Sequence, residues 1–236
     1  MTNTVVTAVR TELKKQADKK TRESARRFFK EEARFYGVKS ALLKKITRAY
    51  FQQVKDRDKK EIFALCEELF ASDYSEEAFI AAEWAFRLEK KYRLEDFRLF
   101  EKWVNKYVNN WAKCDTFCNH AVGALVEKYP VLLPELKRWA KSKNRWVRRA
   151  AAVTLILPAR RGKFLKEVFG IADILQLDQD DLVQKGYGWM LKEASRQHEQ
   201  EVFAYLMKYK TTIPRTAFRY ALEKMSPRLK KQAMAK

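Results

Sequence analysis

Trp111 and Asp115 stand four residues apart, after an Asn109-Asn110 helix-start signal, in the stretch N-N-W-A-K-C-D-T-F-C-N-H-A-V-G. On a helix, residues four apart share a face, so the pair sets an aromatic wall beside a carboxylate. Such a pair is suited to facing a nucleic-acid backbone in a basic groove. Each residue also has a plainer reading. An aspartate in the first helical turn caps backbone N–H groups or complements the helix dipole, and a tryptophan on an amphipathic helix is usually core.

Other chemistries find little support. The chain has no phosphate-cradling glycine loop, nucleotide fingerprint, nucleophile elbow or H-E-x-x-H site, and two histidines leave no room for an imidazole-based triad. Catalysis, if present, must rest on a carboxylate. Cys114 and Cys118 are spaced i,i+4, and even with His120 they fall one ligand short of a closed zinc site, so with Cys66 they read as buried thiols and no metal is expected. No cofactor is expected either. Three cysteines make no disulfide framework, which favours a reducing compartment. The N-terminus has no charged region before its short apolar patch, and no run of eighteen apolar residues exists. The expectation is a cytoplasmic protein without a membrane partner.

The elements that would position the pair are helical. Six glycines and five prolines in 236 residues, with abundant Ala, Leu, Glu, Lys and Arg, predict an all-α chain forming one domain over residues 1–236. Fifty basic residues against thirty acidic give +20, more than solubility needs. The charge is uneven: residues 1–60 hold 18 basic and 7 acidic, 61–100 hold 5 and 10, and 101–236 hold 27 and 13. Two basic blocks flanking an acidic one attract polyanions, nucleic acid first and an anionic membrane surface as the rival.

Apolar periodicity predicts a first helix through Val5, Val6, Val9 and Leu13, and a connector over Gln16–Arg22. A second helix runs from Ser24 to Gly37 with Ala25, Phe28, Phe29 and Phe35 inward, and a third starts at Ser40. Helices over Lys59–Phe70, Ser75–Tyr92, Leu94–Val108, Trp111–Lys128 and Leu132–Lys141 follow. The next covers Asn144–Leu157, capped by Asn144 and ended by Pro158. Phe164–Leu175, a helix opened by Asp178–Asp181, Glu199–Lys208 and Pro214–Lys224 complete the set, and the basic tail 226–236 is expected to fray. Gly186 and Gly188 sit inside a helix, where each costs up to about 1 kcal/mol relative to alanine, so another backbone or a ligand should approach there. Helices of this length joined by short connectors suggest an α-solenoid of about six HEAT-like antiparallel pairs curving around a basic concave groove.

Three stretches carry a resemblance: W-x-x-x-D at Trp111 and Asp115, N-R-W-V-R-R-A-A-A at Asn144–Ala152, and Q-K-G-Y-G-W-M-L-K at Gln184–Lys192. In order and spacing they resemble the AlkD-type DNA alkylation repair glycosylases, built of HEAT-like helical pairs, and the similarity extends from about Arg26 to about Met225. The resemblance implies that Trp111 and Trp189 pack against the sugar-phosphate backbone flanking a lesion, that Asp115 is the catalytic carboxylate and that Arg149 holds a phosphate. It implies excision of cationic N3- and N7-alkylated purines from duplex DNA without taking the base into a pocket, leaving an abasic site. Arg148, Lys185, Lys192 and Phe28 are further candidate DNA contacts. Phe28 stands where the family can carry a tyrosine and Lys192 where an arginine is often found, and Phe28 also reads as core.

One carboxylate suffices for such chemistry. An N7- or N3-alkylpurine is already cationic, so its glycosidic bond breaks without a general acid, leaving the oxocarbenium-like sugar to be stabilised and a water to be placed. The chain is expected to act as a monomer. Two other readings keep the same basic surface: a non-catalytic HEAT-like module that binds DNA or RNA, and a scaffold for an acidic protein partner.

Overall fold

The computed structural model describes residues 4–235, and the chain packs as two compact units, Met1–Phe117 and Cys118–Lys236. The described residues are helical without strands, as the composition predicts, and one isolated bridge joins Arg34 to Tyr74.

The first unit contains α1 (Thr4–Lys15), α2 (Lys19–Arg26), α3 (Ser40–Gln52), α4 (Lys59–Phe70), α5 (Ser75–Arg87), a 3-10 turn at Glu89–Lys91, α6 (Asp96–Tyr107) and α7 (Trp111–Phe117). α1, α4 and α6 form one layer; α3, α5 and α7 form the other, with α1 on α3 and α4 on α5 across it. An aromatic cluster fills the space between: Phe63, Phe70, Phe100 and Phe117 surround Trp103, with ring centroids 5.3–5.8 Å from it. Each such pair adds about 0.5–1.5 kcal/mol beyond its burial.

The second unit opens with a π turn, Cys118–Val122, and continues through α8 (Gly123–Lys128), a 3-10 turn at Pro130–Leu132, α9 (Leu133–Ala140), α10 (Arg145–Val153), α11 (Ile156–Arg160) and α12 (Leu165–Leu175). α13 (Asp181–Ala194), α14 (Glu199–Lys208), α15 (Arg215–Leu222) and α16 (Pro227–Met234) finish it. α13 is its spine, packed by α10 and α15 on its flanks and by α11 and α12. Gly188 makes the closest of these approaches possible: a Cβ there would lie 2.8 Å from Ala217 O and 2.8 Å from Tyr220 Cβ. The expected backbone approach is therefore met by α15.

Four local expectations are corrected. The second helix ends at Arg26 instead of Gly37, and its start moves into the supposed connector, at Lys19. Residues 27–39 are irregular: Phe29 stacks on Trp111 and Phe35 packs on Phe29 while Phe28 stays exposed, and Gly37 takes a left-handed turn at φ 93°. The single helix expected over Trp111–Lys128 is interrupted by the π turn. Pro158 does not stop a helix. The apolar run breaks at Thr154–Leu155, where Leu155 N–H bonds back three residues to Ala152 O, and Pro158 falls in the first turn of α11, whose N–H groups have no intrahelical partner in any case. The tail is helical over Pro227–Met234, with Leu229 and Ala233 buried.

Three of the ten acidic residues of the acidic block are internal. Glu76, Glu77 and Asp96 are buried. Asp96 is salt-bridged to Lys59 at 2.6 Å, and Glu77 accepts from Arg10 Nε at 3.0 Å. These carboxylates hold the unit together and do not present acid to solvent.

Candidate nucleic-acid interface

α7 starts where Asn110, buried, accepts a hydrogen bond on Oδ1 from Lys113 N–H at 2.9 Å. The capping acceptor is thus Asn110, and the structure does not need Asp115 for that task. Lys113 turns into the protein: its ammonium donates to Asp73 O at 3.0 Å, Asp73 Oδ1 at 2.7 Å and Asn109 Oδ1 at 2.9 Å, which uses all three protons. Trp111 and Asp115 lie one turn apart on α7, both half-buried.

Trp111 is not a simple core residue. Its ring stacks on Phe29 at 5.1 Å with 12° between planes, and its indole N–H donates to Phe28 O at 3.3 Å. Phe28 itself is 72% exposed, which removes the core reading for that side chain. Sequence reasoning missed Phe29 as Trp111's partner, although the paired Phe28-Phe29 was the available signal.

The segment carrying these phenylalanines is anchored at its far end by one carboxylate. Glu76 accepts from the backbone N–H groups of Tyr36 at 3.2 Å, Gly37 at 2.8 Å and Val38 at 3.2 Å. Tyr36 donates its hydroxyl to Glu77 at 2.7 Å, and burial together with that bond pushes the phenol well above its ordinary pKa. At Gly37 a Cβ would fall 2.3 Å from Asp18 O, so only glycine fits the turn.

In the second unit, Asn144 caps α10 by accepting from Trp146 N–H at 2.9 Å, as its place in the sequence predicts. Arg149, 5% exposed, lies on the face of α13: its Nη1 donates to Leu182 O, and a Cβ at Gly186 would come 3.3 Å from its Cγ. Leu182, Gly186 and Trp189 follow at i, i+4 and i+7, so Arg149 lies along the stripe of α13 that ends in Trp189. The glycine makes room for the guanidinium stem.

Trp189 is half-buried, with the Lys192 ammonium 5.9 Å from its ring and 5.5 Å from the ring of Tyr220. Lys192 also pairs with Glu223 at 2.9 Å. Tyr220 had no signal in the sequence that tied it to Trp189. Arg148 is engaged elsewhere: Nε meets Asp178 at 2.6 Å, and Nη1 donates to Ser142 O and Lys143 O at 3.0 Å each. Those bonds tie the loop after α9 to the loop before α13 and absorb most of its donors. Lys185 pairs along its own helix with Asp181 at 3.3 Å.

Trp111 and Asp115 therefore share α7, and Arg149 of α10 lies against Leu182 and Gly186 of α13, the helix that carries Trp189, each within its own unit. Among the described residues no cluster of metal ligands occurs and no helix is long and apolar enough to cross a membrane.

Comparisons with known proteins point one way. A "predicted DNA alkylation repair enzyme" from Enterococcus faecalis superposes with TM-score 0.79 at 18% identity, covering 90% of this chain and 98% of that one. AlkD2 from Streptococcus mutans gives 0.62 at 24% identity, covering 78% and 90%. The protein smu.31 of Streptococcus mutans UA159 gives 0.61 at 24%, covering 79% and 94%. At these identities the likeness is one of fold. No curated protein matches the chain. The family model of DNA alkylation repair enzymes, however, matches residues 9–225, nearly the whole sequence, and on that match the chain belongs to the DNA alkylation repair enzyme family.

Proposed function

We propose that the protein is a DNA glycosylase that hydrolyses the N-glycosidic bond of cationic N3- and N7-alkylated purines in duplex DNA, leaving an abasic site. The observation that carries this reading is the state of α7. Asp115 and the partly exposed Trp111 lie one turn apart on this helix, whose cap is Asn110 and whose Lys113 serves the interior.

In the proposed reaction the C1′–N bond breaks with its electron pair leaving on the purine, whose positive charge is thereby neutralised. Asp115 stabilises the positive charge that develops on the sugar and orients a water, whose oxygen bonds to C1′ while its proton passes to solvent. Trp111 and Trp189 offer π-faces to cationic sugar and flanking backbone. Arg149 is assigned to a phosphate as the family resemblance implies; being 5% exposed and bonded to Leu182 O, it must turn outward to reach one. The lesion stays outside any pocket, and the chain works as a monomer in the cytoplasm.

The test is release of 7-methylguanine from a defined duplex by wild-type protein and by Asp115→Asn. We expect base release to fall by about 10²–10³ with duplex affinity retained. A wild-type protein that binds duplex but releases no base would leave a non-catalytic nucleic-acid module.

A further inference from the structure

A groove of about 1240 Å³ opens between α4, the loop over residues 90–93 and α6. It lies apart from the site proposed above, since α7, which carries Trp111 and Asp115, belongs to the other layer of the first unit. Its volume exceeds the roughly 300–1,000 Å³ of a small-molecule site. Phe63, Ala64 and Leu99 give it an apolar wall, and Leu94, between two of its lining residues, is 43% exposed.

The acids along the groove are already engaged. Asp58 caps α4 by accepting from Lys60 N–H at 2.8 Å, and Asp96 accepts from Lys59 Nζ at 2.6 Å and from Arg93 N–H at 2.8 Å. Glu67 is held by Lys102 at 2.5 Å and by the Tyr107 hydroxyl at 3.0 Å. Glu95 meets Arg93 only at 3.9 Å in open solvent, a contact worth little. The cations are less occupied. Lys60 and Lys91 stand exposed, with no carboxylate in ion-pair reach among the described residues, and Arg93 has that one long contact. The groove therefore offers positive charge beside apolar surface. A bilayer is a poor occupant, because binding in its interface needs an apolar face turned outward and this apolar wall is recessed. A nucleic-acid strand is another poor one, since Glu67 and Glu95 would face its evenly spaced phosphates. An acidic peptide fits better: its carboxylates can meet Lys60, Lys91 and Arg93 while neutral residues pass the two glutamates and an apolar side chain packs on Leu99 and Ala64.

We propose that the groove between α4 and α6 is a docking site for an acidic peptide segment of a partner protein, one in which carboxylates flank an apolar side chain. Complementary charge of this kind selects the partner and speeds encounter more than it adds affinity. A partner seated there leaves the layer of α7 open, so the protein can hold it and nucleic acid together. No group of the groove takes part in the base excision proposed above, and the docking site does not depend on it.

The experiment is titration of a short fluorescein-labelled peptide, aspartates and glutamates around two leucines, read by anisotropy at physiological ionic strength in the presence of excess lesion-free duplex. The proteins are the wild type, the groove variant Lys60→Gln/Lys91→Gln/Arg93→Gln, and a control, Lys224→Gln/Arg228→Gln/Lys231→Gln, that removes the same charge from α16 and its approach. None of the six side chains is buried, so both variants keep the core. We expect the wild type and the control to bind the peptide alike and the groove variant to bind it about tenfold or more weakly. Amide exchange over residues 90–95 should slow when the peptide is added to wild-type protein. Five outcomes overturn the proposal: no binding by the wild type, an equal fall in the control, undiminished binding by the groove variant, equal binding of a peptide whose acids are replaced by their amides, or displacement of the peptide by duplex or by phosphatidylserine vesicles. Release of 7-methylguanine, measured separately, distinguishes the two readings: peptide docking without base release removes the glycosylase and keeps the docking site, and base release without docking does the reverse.

Discussion

Arg149 lies against Gly186, so closely that a β-carbon on the glycine would sit 3.3 Å from the arginine's Cγ. The space that one residue lacks is the space the other occupies. Gly186→Ala should therefore push Arg149 off its course along α13 while adding helix propensity worth about 1 kcal/mol. We expect a thermal midpoint near or above that of the wild type and a loss of duplex affinity or base release of several fold. A variant with wild-type binding and turnover would remove Arg149 from the proposed interface.

Gly188→Ala should behave in the opposite way. Its β-carbon would meet the backbone oxygen of Ala217 at 2.8 Å, and backbone cannot step aside as a side chain can. Overpacking of that kind costs about 1–3 kcal/mol. Thermal unfolding should show a lowered midpoint, and a midpoint equal to that of Gly186→Ala would contradict the distinction between the two glycines.

Trp111→Ala should loosen the segment that contains Phe28 and Phe29 before it affects the fold. The substitution removes an aromatic stack worth about 0.5–1.5 kcal/mol and a hydrogen bond worth about as much. Amide hydrogen exchange at Phe28 and Phe29 should accelerate by about ten- to a hundredfold while the core of α5 is unchanged. Unaltered exchange there would show that the segment is held by other contacts.

The Lys113–Asp73 pair should be asymmetric. Lys113 is 2% exposed and Asp73 is partly solvated. Asp73→Ala strands a buried ammonium and should cost about 3 kcal/mol, whereas Lys113→Met removes the buried charge itself and should cost distinctly less. Burial alone would raise the Asp73 pKa, but hydrogen bonds from Lys113 and Asn109 outweigh it and hold the carboxyl below its ordinary value. A depressed carboxylate stabilises the fold above its unfolded pKa of about 3.9 and loses that contribution as pH falls through the folded value. The stability gap between wild type and Asp73→Asn, measured by denaturant titration, should shrink below that pH. A gap constant down to pH 2 would refute the assignment.

The limits of sequence reading follow from where its signals come from. Helices with an apolar stripe were legible to the residue: Lys59–Phe70 and Glu199–Lys208 form as their periodicity predicts. α2 escaped because it has no stripe, and the phenylalanines beyond it, which pack on Trp111 and the loop, mimicked one. The apolar run before Pro158 hid a break at Thr154–Leu155, since the one polar residue there, Thr154, is fully buried among apolar neighbours. The π turn depends on which carbonyl each N–H selects, a choice no residue type announces. At the candidate site, Gly188 meets the backbone of α15 as its helix-breaking cost predicts, whereas Gly186 meets the side chain of Arg149 in place of a backbone or a ligand. The engagement of Arg148 by Asp178 was not legible, because that ion pair joins residues thirty positions apart.

The segment between α2 and α3 is secured chiefly through main-chain atoms: Phe28 O at one end, and the N–H groups of residues 36–38 on Glu76 at the other. Anchors of that kind are indifferent to side-chain identity. The exposed side chain at Phe28 can therefore be exchanged while the main-chain anchors on either side of it persist.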